Sequence, residues 1–215
     1  VVFNTHSFQA NELVELEWGK LDEDMLLFDH DDNLVPYQRI VSHASARGRN
    51  RIVFLSSVGP LGYHLYRMKR SKAEIEERPN SLKVGDYFLE NRYLSVHFDE
   101  KTGTIDHFYD KVNQISVCNG LGSQPVVLSD TSDTWSHGVF SFWNEHAVEA
   151  MQLKRIAVVE RGPVRSSIEV VHHHGSSTLI QTFSLGSESK TLDVQVHVDW
   201  HEKQNVLKLR FPTTL

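Results

Sequence analysis

The chain has 215 residues, 28 acidic against 22 basic for a formal charge of −6, with 40% apolar and 23% charged residues. That balance suits a globular chain able to bury one large core or two modest ones, and it disfavours a general nucleic-acid binder, which needs a basic face. No apolar run approaches the ~20 residues needed to span a bilayer, and no basic start followed by an apolar stretch marks a signal peptide, so neither a membrane nor a nucleic-acid partner is expected.

Cys118 stands alone, which excludes an internal disulfide, and no Asn-x-Ser/Thr acceptor occurs. Both features point to a cytoplasmic protein.

Period two dominates in chain order. Val14, Leu16 and Trp18 alternate with Glu15 and Glu17, and Leu94, Val96 and Phe98 alternate with Ser95 and His97. Leu192, Val194, Val196, Val198 and Trp200 alternate with Asp193, Gln195, His197 and Asp199. Such spacing places apolar groups on one sheet face and polar groups on the other. Asp99-Glu100-Lys101-Thr102-Gly103 predicts a hairpin into Thr104–Tyr109, with glycine supplying a positive φ. His174–Ser177 and Gly186–Ser189 punctuate the series from Val164 to Phe211. Only Ser71–Arg78 has a helical pattern. It is short and polar and ends at Pro79, so it reads as a linker. The expectation is an all-β, mostly antiparallel chain, with a small β-sandwich over residues 1–82 and a larger β-domain over 83–215.

Few segments have the makings of a site. Asp29-His30-Asp31-Asp32-Asn33 departs from a calcium loop, which needs glycine where Leu34 stands and a carboxylate where Ile40 stands, so a solvated acidic turn is expected. His172, His173 and His174 are consecutive, and successive strand residues face opposite ways, so they do not converge on one ion. His197 and His201 share a strand face but stand roughly 13 Å apart along it. No metal site is expected from these histidines. Asp130–Gly138 gathers two carboxylates, Trp135 and His137 ahead of Phe140, Phe142 and Trp143. Sugar sites use that mixture, with aromatic faces against C–H patches and carboxylates accepting from hydroxyls. Asp133, Trp135 and His137 are therefore the substrate-binding candidates. The competing reading makes the segment a structural turn with Trp135 plugging the core. A carboxylate pair for glycoside hydrolysis cannot be chosen among 28 acidic residues, so no catalytic residue is assigned in this chain.

Several collinear segments resemble the β-region of family 38 glycoside hydrolases, the α-mannosidases. They include Val2–Ser7, Val35–Gln38, Leu61–Tyr66, Leu89–Asp99, Thr102–Ile105, Tyr109–Lys111, Asp133–Trp135, Glu160–Arg165 and Val198–Pro212. Thr5 departs from the pattern, since members usually carry proline there. The resemblance implies a small β-sandwich followed by a galactose-mutarotase-like supersandwich, with the larger domain incomplete here. It also implies an upstream α/β domain that supplies the aspartate nucleophile and a zinc ion, and a homo-oligomeric habit. The abrupt start at Val1-Val2-Phe3-Asn4 and the ending soon after Pro212 fit a piece of a larger parent. On this reading the chain is a non-catalytic region that buttresses the catalytic domain and lines its cleft, with no cofactor of its own. The alternative is an autonomous carbohydrate-binding or mutarotase-like domain, for which His137 and Glu145 are the nominated acid and base.

Overall fold

A computed structural model describes residues 1–42, 48–71, 82–135, 137–141 and 148–214. The chain is all-β: its described strands pair antiparallel in several small sheets, and no helix occurs among the described residues. The predicted linker at Ser71–Arg78 lies outside the described residues except for Ser71. By its internal contacts the chain divides into two compact units, Val1–Leu82 with Gly162–Arg165, and Lys83–Arg161 with Ser166–Leu215.

The first unit contains β1 (Val2–Phe3), β2 (Ala10–Trp18), β3 (Met25–Phe28), β4 (Leu34–Val35), β5 (Tyr37–Ile40), β6 (Asn50–Val58), β7 (Tyr63–His64) and β8 (Arg67–Arg70). β6 lies between β2 and β5, and β3 lies between β4 and β8. The alternation read at Val14, Leu16 and Trp18 turns Val14 and Trp18 onto a core built on Leu21, Leu27, Ile52 and Phe54, but Leu16 between them stays 41% exposed. The 162–165 segment belongs here because the side-chain oxygen of Gln38 accepts hydrogen bonds from the backbone N–H groups of Val164 and Arg165. Gly162 permits that approach, since a Cβ there would lie 2.1 Å from the Gln38 amide.

The second unit contains β9 (Lys83–Gly85), β10 (Phe88–Glu90), β11 (Leu94–Phe98), β12 (Ile105–Asp110), β13 (Ile115–Ser116), β14 (Gln124–Ser129), β15 (Val148–Ala150), β16 (Gln152–Glu160), β17 (Arg165–His174) apart from its first residue, β18 (Ser177–Gly186), β19 (Asp193–Asp199) and β20 (Asn205–Arg210). β9 to β13 form one sheet in chain order, β16 to β19 form another, and β14 runs between β15 and β20. In β18 every second residue is buried, with Leu179, Phe183 and Leu185 on the inner face. Phe183 meets Phe98 with ring centroids 4.9 Å apart. The hairpin predicted after Phe98 forms through Asp99, whose Oδ1 accepts from the Lys101 and Thr102 N–H groups, while Gly103 takes φ +67°.

Two further expectations of the alternation change in detail. Ser95 is buried although it stands on the polar side of β11. Val194, Val196 and Val198 lie opposite Phe183, Gln181 and Leu179, yet they remain 36%, 43% and 43% exposed. The reason is position: β19 is the edge strand of its sheet. Periodicity assigns residues to a face, but it does not supply a layer to cover that face.

Candidate functional site at the loop after β14

β14 is buried from Pro125 to Leu128 and pairs on one side with β20 and on the other with β15. From this rigid strand the chain leaves at Ser129 and returns to β15 at Val148, so the intervening segment is a long excursion from a packed sheet. Its root is held by the Asp130 N–H, which donates to the Gln204 carbonyl at 2.7 Å. Asp130 Oδ1 accepts from the Ser132 N–H at 3.0 Å and from its hydroxyl at 2.5 Å.

The next turn is organised by Asp133. Its Oδ1 accepts from the backbone N–H groups of Trp135 at 3.0 Å and His137 at 3.1 Å. Its Oδ2 lies 2.6 Å from His137 Nδ1. In the neutral ring, with the carboxylate as acceptor, Nδ1 carries the proton and Nε2 keeps the lone pair. One carboxylate therefore sets both the backbone turn and the imidazole tautomer. Trp135 is 83% exposed and Phe140 is 99% exposed. Trp135 does not plug the core, and the purely structural reading of that side chain fails. The loop instead offers an aromatic face beside a carboxylate–imidazole pair. That combination can stack on a sugar ring and exchange hydrogen bonds with its hydroxyls. Phe142, Trp143 and the nominated base Glu145 lie outside the described residues.

The other candidates do not come together. His172 is only 1% exposed, and its Nε2 donates to the Thr102 carbonyl at 2.7 Å. Burial pushes its pKa below the ordinary value of 6.5, against an opposing effect of that hydrogen bond. His173 Nδ1 meets the Thr178 hydroxyl at 3.5 Å, whereas His174 stacks beside Trp200 at 6.5 Å. His201 Nε2 pairs with Asp199 Oδ1 at 3.0 Å. In the acidic turn, Asp29 Oδ1 accepts from the Asp31 and Asn33 N–H groups at 2.9 Å, and Asp32 pairs with Lys69. Among the described residues, no three His, Cys, Asp or Glu side chains gather closely enough to hold a metal ion. Sequence reading missed the role of Gln38 as an anchor, because its partners lie more than a hundred residues away.

Residues 89–215 match the glycosyl hydrolases family 38 C-terminal domain, and the chain belongs to that family. It is also 23% identical over 135 residues to Alpha-mannosidase G of Dictyostelium discoideum. That similarity covers 58% of this chain but only 12% of the relative, so the chain spans a small share of the protein it matches.

Proposed function

We propose that the chain is the non-catalytic β-region of a zinc-dependent, retaining α-mannosidase that hydrolyses terminal α-mannosides. The observation that carries this reading is the family 38 C-terminal match over residues 89–215. The name of the Dictyostelium relative supports mannose as the sugar. In this reading a separate domain of the same polypeptide supplies the nucleophile and the zinc. The described residues do not fit such a zinc, since no three ligating side chains gather among them. No step of bond cleavage is therefore assigned to this chain.

Its contribution is positional. The carboxylate of Asp133 holds the imidazole of His137 and the backbone carrying Trp135, so all three are set before a sugar arrives. The indole covers a C–H face of the substrate, and His137 Nε2 accepts from a hydroxyl. Rigid presentation of this kind aids turnover by orienting the substrate rather than by reacting with it.

Two measurements test the reading. The chain alone is expected to show no turnover of an aryl α-mannoside, with or without added zinc, and measurable turnover by material free of host enzyme refutes the non-catalytic role. In the intact parent enzyme, Asp133→Asn is expected to impair turnover or substrate binding while zinc content stays at the wild-type level. The exposure of Trp135 and Phe140 also favours a second reading, in which the chain binds carbohydrate by itself. Calorimetric titration of the chain with mannose oligosaccharides separates the two: saturable binding lost in Trp135→Ala supports autonomous binding.

A further inference from the structure

The geometry points to a two-histidine site for a first-row transition-metal ion of the zinc and copper class, formed by His97 and His107 on the outer face of the β9–β13 sheet. The two residues are direct cross-strand partners, His97 on β11 opposite His107 on β12. Both side chains are exposed, and their ring centroids lie 5.1 Å apart with the planes at 86°. With metal–nitrogen bonds of about 2.0–2.1 Å and a tetrahedral angle, two imidazoles sharing one ion place their centroids roughly 5 Å apart. The observed separation lets both rings reach one ion.

The register behind this pair is firmly set. Leu94, Val96 and Phe98 are buried on the opposite face, and a one-residue slip would expose all three. The ladder shifts at once beyond the pair, skipping Asp106, a bulge of the kind that redirects neighbouring side chains. Phe88 stacks against His97 at 5.7 Å and Tyr109 against His107 at 5.9 Å, which limits rotation of both rings. His97 Nε2 lies 3.2 Å from Ser95 Oγ, so the buried hydroxyl can accept its proton and leave Nδ1 as the ligand. Ligating histidines generally hold their second nitrogen in this way.

The chemistry narrows the ion. Imidazole donors favour copper, zinc and nickel over magnesium or calcium. No third ligating side chain joins the pair among the described residues, so water completes the coordination and the ion exchanges readily. The proposal does not depend on the mannosidase reading. His30 and His64 also approach one another, at 4.8 Å, but His30 sits in a turn with Nε2 3.2 Å from the Asp31 carboxylate.

The test is a zinc titration of the whole chain followed by imidazole nitrogen NMR. The resonances of His97 and His107 are expected to move together along one saturable binding curve. His97→Ala is expected to weaken the response of His107 at least tenfold, and His201→Ala is expected to leave it unchanged. The proposal is overturned if zinc leaves both wild-type resonances unmoved, or if His107 responds equally in folded His97→Ala protein. The wild-type spectrum decides even if a variant fails to fold.

Discussion

His137 and His172 are the same side chain in opposite regions, and the contrast between those regions separates an accessible loop from a packed core in this molecule. His172 lies inside the β17–β18 hairpin, against the Thr102 carbonyl, where burial keeps it neutral. His137 stands in the loop after β14, largely in water, with its tautomer set by Asp133. The hairpin spends its polar groups on closing a core, whereas the loop holds its polar and aromatic groups ready outside one. A residue that can meet a substrate must remain accessible, and only the loop histidine does.

The largest effect should come from the hairpin. Phe183→Ala removes a fully buried ring that meets Phe98, and about 3–5 kcal/mol of stability should be lost in urea unfolding. A loss below about 1 kcal/mol would mean that this face is not a packed core. Next, Asp133→Asn in the intact parent should lower turnover ~10²-fold, the scale of a substrate misplaced by about 1 Å, with little change in melting temperature. If melting falls and kinetics do not, the loop is scaffold like the hairpin, and the contrast collapses.

Gly103→Ala should cost about 1–3 kcal/mol, since it combines a positive φ with crowding against side chains of β16 and β17. The added methyl would lie 2.5 Å from Val170 Cγ1 and 2.7 Å from Leu153 Cδ1. Differential scanning calorimetry reads this directly.

A smaller effect follows from titrating His172. Its pKa is lowered in the folded chain, so below the ordinary value of 6.5 the unfolded chain binds the proton first. Stability contributed by the neutral ring is complete above that value and is lost as pH falls through the depressed folded pKa. Chemical denaturation across this window should show a slope that His172→Leu removes, and an unchanged slope would assign the acid sensitivity to other groups. Trp135→Ala should change stability least, within about 0.5 kcal/mol, because its ring is in solvent. A loss of several kcal/mol would restore the core-plug reading.

Much of this contrast was legible in the order of residues. Alternation in β11 and β19, together with the Asp99–Gly103 turn, is local information, and the strands and hairpin formed where the pattern placed them. The loop was legible through composition, because Asp133, Trp135 and His137 are close in sequence. What escaped depends on partners far apart in the chain. Gln38 meets the backbone of Val164 only after folding. His97 and His107 become neighbours only once the strand register exists, whereas the conspicuous run at His172–His174 disperses over two faces.

The exposed edge at β19 has a consequence for the behaviour of the chain in concentrated solution. Its outer backbone groups, next to the row Val194, Val196 and Val198, are a ready template for another extended segment to dock and propagate. Asp193 and Asp199 close the two ends of that row with negative charge. Incoming strands that carry the same sequence meet like charges at both ends, which acts as a gatekeeper against self-templated fibre growth.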